Sequence, residues 1–195
     1  MKEFFKRNKK VLLISLVIFL VFAIGAAVFT YVMIGDHYGV ISGNITKMAA
    51  EGNLPNDISV NLDAIEIFLH NLGSNLIVIA GGLLFSIISV LVLIFNAISI
   101  GSPFGVDLAF FAPSILPHGI PEYVATVFSL ACAFNIINLE IKMIKNRSFR
   151  NTLKEHKREL KDILIMIVIV VILLFIAAII EANITEIITK GAFGI

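Results

Sequence analysis

Cysteine is almost missing from this chain: Cys132 is the only one in 195 residues. A single thiol closes no intramolecular disulfide, and without Cys or His pairs at ligand spacing the common zinc modules are excluded. Charge is scarce as well, at 15% of residues against about 25% in an average soluble domain. What takes its place is apolar, 58% of the chain with a mean hydropathy of +0.99. That is the composition of a membrane protein. The net charge of +1 hides a strong segregation of charge along the sequence.

Residues 11–34 form a run of 24 without a charge, long enough to cross roughly 30 Å of hydrocarbon as a helix. The basic residues 1–10 before it resemble the start of a signal peptide, but the apolar core is too long and runs on into Tyr31 and Met33. An uncleaved anchor is expected. Further spans are expected at 76–100, 120–141 and 162–181, with a short or broken one at 103–116. The chain reads as a single integral membrane domain over residues 1–195, an all-α, polytopic membrane helix bundle of about five segments.

Charge sets the expected sides. Of 15 Lys and Arg, five precede residue 11 and eight fall in residues 142–161, which places both stretches in the cytoplasm. The 35–75 connection is acidic and reads as external. Five crossings satisfy both, with the N-terminus inside and the C-terminus outside. At the end of the external loop, Leu62, Ile65, Phe68, Leu69 and Leu72 recur at helical spacing, which predicts an interfacial amphipathic helix over residues 61–72. The basic 142–161 loop suits anionic headgroups. It lacks the aromatic or groove-reading elements of a nucleic-acid binder, so no nucleic acid is expected as a partner. The sequons at Asn44 and Asn183 fall outside in this topology and that at Asn146 falls inside.

From residue 76 to residue 139 the only formal charges are Asp107 and Glu122, with His118 the other titratable group of interest. Ionisable groups at membrane depth cost a few kcal/mol, so they usually face protein, water or a partner. Pro121 predicts that the helix starts near Ile120, with Glu122 in its first turn and His118 and Gly119 as the approach. On that reading the cluster is a capped helix start. The other readings are a polar binding site for a partner segment, lipid headgroup or ion, and a metal or catalytic site with Asp107, His118 and Glu122 as ligands. No His-Glu-x-x-His, Gly-x-Ser-x-Gly or phosphate-loop spacing supports catalysis, and Ser129 and Cys132 have no evident base beside them. Asn71, Asn75, Asn96, Asn135 and Asn138 are placed to bond between helices, and Gly81, Gly82, Ser86, Ser89, Gly101 and Gly105 to let helices approach.

Phe68-Leu-His-Asn71 with Asn75, the Gly81-Gly82 step, the Phe95–Gly101 string and above all Leu116-Pro-His-Gly-Ile-Pro-Glu122 resemble the pattern of the stage II sporulation protein M family. The likeness spans roughly residues 65–138; Ala97 and Pro121 depart from it. It implies a small multi-span membrane protein, with Asn71, Asn96, Gly101, Pro117, His118, Gly119 and Glu122 as signature positions. In spore formers the namesake recruits and holds cell-wall-degrading partners without itself being regarded as a hydrolase. The expectation is therefore a non-enzymatic scaffold of the cell membrane, without a cofactor, that associates with membrane or envelope proteins and with itself. The alternatives are a small transporter or ion channel with a discontinuous-helix site around Asp107, His118 and Glu122, and, third, a membrane-embedded metalloenzyme.

Overall fold

A computed structural model describes residues 2–34, 63–147 and 149–185, without the side chains of residues 109, 110, 149–151 and 185. Residues 35–62 of the expected external loop, with the Asn44 sequon and the first two positions of the amphipathic segment, lie outside the described residues. The described chain is helical throughout: α1 (Lys2–Ile34), α2 (Ala64–Ala80) with a 3-10 turn at Gly81–Leu84, α3 (Ile87–Val106), α4 (Leu108–Asn146), a short α5 (Phe149–Glu155), and α6 (Lys157–Ile180) ending in a π turn at Glu181–Thr185. Among the described residues, five helices are long and apolar enough to cross a membrane: Lys2–Ile34, Ala64–Leu84, Ile87–Val106, Phe111–Asn146 and Lys157–Ile184.

The number of crossings matches the expectation; several of their boundaries do not. The expected 76–100 span is interrupted at residues 81–86, where Phe85 and Ser86 both take left-handed backbone angles, φ 53° and 55°. The amide of Ser86 bonds the carbonyl of Gly81 at 3.0 Å, and the Ser86 hydroxyl donates to the carbonyl of Ala133 at 3.2 Å. A turn whose polar groups are met by its own backbone and the next helix needs no polar residue to signal it. The expected interfacial helix is instead the first two turns of the crossing helix α2, capped by Asp63, whose side chain accepts from the amide of Ile65. Residues 103–116 are not a separate crossing either. They straddle the break at extended Asp107, between the end of α3 and the start of α4.

Packing fixes the directions of α3 and α4 relative to α1. Gly101 and Gly105 of α3 lie against the backbone of Ala23 and Ala27 of α1, so these two helices run parallel. The ring of Phe19 meets that of Tyr123 at 5.6 Å and Phe5 meets Phe128 at 6.5 Å, so α4 runs antiparallel to α1. Phe68 of α2 stacks edge-on with Phe175 of α6 at 5.8 Å. Helix α4 is central: residues 125–133 are all buried, which is why this span tolerates Thr, Ser, Cys and three Ala where its neighbours are Ile, Leu and Val. A stretch of helix enclosed by protein, as residues 125–133 are, has no lipid face to satisfy.

The two basic stretches meet at one end of the bundle. Arg7 donates to both carboxylate oxygens of Asp162, at 2.9 and 2.7 Å, and Asn8 donates to Asp162 at 3.1 Å. Asn135 closes the network on Asn8 at 2.8 Å, tying α1, α4 and α6 together. Nearby, Lys142 pairs with Glu159 at 2.6 and 2.7 Å, and His156 lies 3.0 Å from the same carboxylate.

Candidate functional site

Helix α4 does not start near Ile120. It runs unbroken through Pro113, Pro117 and Pro121, three rings four residues apart on one strip. Each proline lacks an N–H, so the carbonyls of Ala109, Pro113 and Pro117 have no intrahelical donor. The strip spacing explains why the helix survives: each lost bond falls on the same side, and the other ridges of the helix keep theirs. His118 and Glu122 are therefore mid-helix residues one turn apart on one face, not a capped helix start. Thr126 continues the ridge, donating its hydroxyl to the carbonyl of Glu122 at 3.1 Å.

Of the three residues singled out from sequence, two come together. Asp107, buried at 5% exposure, sits between helices with its amide on the carbonyl of Pro103. It is eleven residues from His118, about 16 Å along a helix axis. The charged group within electrostatic reach of both His118 and Glu122 is Glu181, the first residue of the π turn that ends α6. Sequence reasoning passed over Glu181. Its signal was its position as the first charge after an 18-residue apolar run, the place where a crossing helix meets polar surroundings. A π turn widens the helix by one residue and is frequent at functional sites. Beside this group, the Tyr123 hydroxyl is buried without a hydrogen-bond partner among the described residues and lies over Gly119, where a Cβ would come within 2.5 Å of it.

The arrangement is a histidine and two carboxylates at the end of the α4–α6 seam opposite the basic end, with a tyrosine hydroxyl alongside. It can donate and accept hydrogen bonds and attract cationic groups. Among the described residues no three His, Cys, Asp or Glu side chains come together as metal ligands, so Asp107, His118 and Glu122 do not form the metal set considered from sequence. Cys132 is fully buried with its thiol 3.9 Å from the carbonyl of Ile163, which suits a packing residue.

The other signature positions belong to helix contacts. Asn96 donates to Ser74 at 3.4 Å, and the carbonyl of Asn71 accepts from Asn75 at 2.9 Å. Asn75 in turn accepts from Ser129 at 2.8 Å, joining α2 to α4. A Cβ on Gly101 would run into the carbonyl of Ala23. Gly81 and Gly82 make the corresponding approaches to Ser89 and Ala133, at 2.6 and 2.9 Å for an added Cβ.

No curated protein and no solved structure matches the chain. The sequence pattern of stage II sporulation protein M matches residues 15–186, far beyond the stretch that carries the quoted motifs, and this multi-pass membrane protein belongs to that family.

Proposed function

We propose that the protein is a non-enzymatic scaffold of the cell membrane that holds membrane or envelope partner proteins through the polar group His118, Glu122 and Glu181. Its basic end, with the N-terminus and residues 142–161, faces the cytoplasm, and the C-terminus is external. The orientation follows from the positive-inside rule, since 13 of the 15 Lys and Arg belong to those two stretches. The observation that carries the reading is the placement of His118 and Glu122 within electrostatic reach of Glu181, at one end of a seam that is otherwise without charge until the basic end. Polar groups so placed suit a hydrogen-bonding or basic segment of a partner helix.

The test is co-purification of crosslinked partners with the His118→Gln and Glu122→Gln variants, with folded yield measured in parallel. Partners are expected to be lost while folded yield is kept. Undiminished partner recovery with both variants would overturn the role of this group. A transporter is the second reading, favoured by the three carbonyls freed by Pro113, Pro117 and Pro121 on the same helix as Glu122. Cation or proton flux in reconstituted vesicles that is abolished by Glu122→Gln would replace the scaffold with it.

A further inference from the structure

An apolar groove of about 780 Å³ runs along the membrane-facing side of the bundle between α1 and α4. Leu12, Leu16 and Leu20 of α1 and Val124 and Val127 of α4 line its length. At the basic end of the bundle its rim carries Lys6 and Lys9, beside the ring of Phe5. Both lysines are exposed, and neither has an ion pair among the described residues, whereas Arg7 between them is committed to Asp162. The opposite end is closed by the paired rings of Phe19 and Tyr123.

We infer that this groove holds an anionic phospholipid, its phosphate between Lys6 and Lys9 and one acyl chain laid between α1 and α4. Three features converge on that occupant. The groove is bare of polar side chains beyond its lysine rim until Tyr123, which suits a hydrocarbon chain. From Lys9 to Leu20 is eleven residues, about 16 Å of helix, close to the roughly 15 Å that half of a 30 Å hydrocarbon core provides. The lysines are three apart, neighbours on one helix face, so both ammonium groups reach one headgroup. A second copy of the chain packed in parallel would instead bring its own Lys6 and Lys9 against these, and like charges repel. The interaction differs from the general attraction of residues 142–161 for a charged surface, because it retains an individual lipid.

The test uses the full chain reconstituted in vesicles of equal phosphatidylglycerol and phosphatidylcholine, extracted in mild detergent and weighed by native mass spectrometry. The wild type is expected to retain phosphatidylglycerol over phosphatidylcholine. In the Lys6→Gln/Lys9→Gln variant that preference should fall on the order of thirtyfold, from the loss of two basic contacts with an anionic headgroup. Lys6→Arg/Lys9→Arg should keep it, and Lys154→Gln/Lys157→Gln, which removes basic residues outside the groove, should leave it unchanged. Leu16→Trp, filling the groove, should release the retained lipid while leaving helicity intact. Equal retention of the two lipids, or a preference untouched by Lys6→Gln/Lys9→Gln, would overturn the inference. So would disulfide-linked dimers formed readily by Leu16→Cys, which would show protein in the groove.

Discussion

The α1–α3 seam is the place where a single methyl group has the clearest expected cost. A Cβ added at Gly101 meets the carbonyl of Ala23, and one at Gly105 meets the carbonyl of Ala27 and lies 2.8 Å from the Cβ of Thr30. Backbone atoms do not rotate aside as a flexible side chain does, so Gly101→Ala must push the two helices apart. Overpacking of this kind costs about 1–3 kcal/mol. Against it stands a gain of up to about 1 kcal/mol in intrinsic helix propensity on replacing glycine by alanine. Gly25 and Gly73 supply the control: both are inside helices and have nothing within 4 Å of an added Cβ. Because the propensity gain is common to all, the difference between Gly101→Ala and Gly25→Ala isolates the steric cost, and it should be about 1–3 kcal/mol. The Gly101→Ala/Gly105→Ala pair should cost less than the sum of the two, since a seam already opened by one methyl offers less resistance to the next. Reversible unfolding in mixed micelles, followed by helical circular dichroism, measures all of these. If Gly101→Ala proves as stable as Gly25→Ala, the close approach of α1 and α3 is wrong, and with it the parallel arrangement of those helices.

Two further outcomes follow from the helix boundaries and the amide contacts. With Cys132 replaced by alanine, Phe85→Cys should react with an impermeant maleimide from the same side as Lys145→Cys, and Val106→Cys from the other; Val106→Cys labelled together with Lys145→Cys would restore an uninterrupted 76–100 span. Ser129→Ala removes the donor to Asn75, which is only 2% exposed, and should cost about 1 kcal/mol; a double-mutant cycle with Asn75→Ala that shows no coupling would refute the contact.

The parts of this fold that depend on charge were legible in the sequence. The basic residues before residue 11 and those of 142–161 do lie at one end, joined through Arg7 and Asp162. The turn at residues 81–86 was not legible, for a physical reason. Its sequence, Gly-Gly-Leu-Leu-Phe-Ser, is as apolar as the spans around it, because the turn bonds to itself and to Ala133 rather than to water. Its left-handed residues are Phe85 and Ser86, which have no propensity for that region, while the two glycines that would have marked a turn keep to the 3-10 helix and serve close packing. Prolines misled in the opposite direction. Pro121 argued for a helix start, yet four-residue spacing confines the lost hydrogen bonds to one strip and the helix continues. The first turns of α2 look amphipathic because Ile67 packs inward, while Glu66 and His70 stand at the polar end of a crossing helix; a helix lying on the interface would show the same pattern.

The division of the signature positions into two kinds follows from what each could be replaced by. Gly101 is required because nothing larger fits, and Asn96 takes part in a hydrogen bond to Ser74 where α3 meets α2. These needs are met inside the molecule. His118, Glu122 and Glu181 are ionisable: apolar side chains of similar size would fill the α4–α6 seam, and each ionisable group kept there costs a few kcal/mol unless a counter-group or water reaches it, as Glu181 does for His118. Packing alone would select leucine at these positions. On the proposed reading that chemistry serves a partner segment reaching the seam, so binding experiments belong there, while the glycine contacts of α1 and α3 are the place to measure stability.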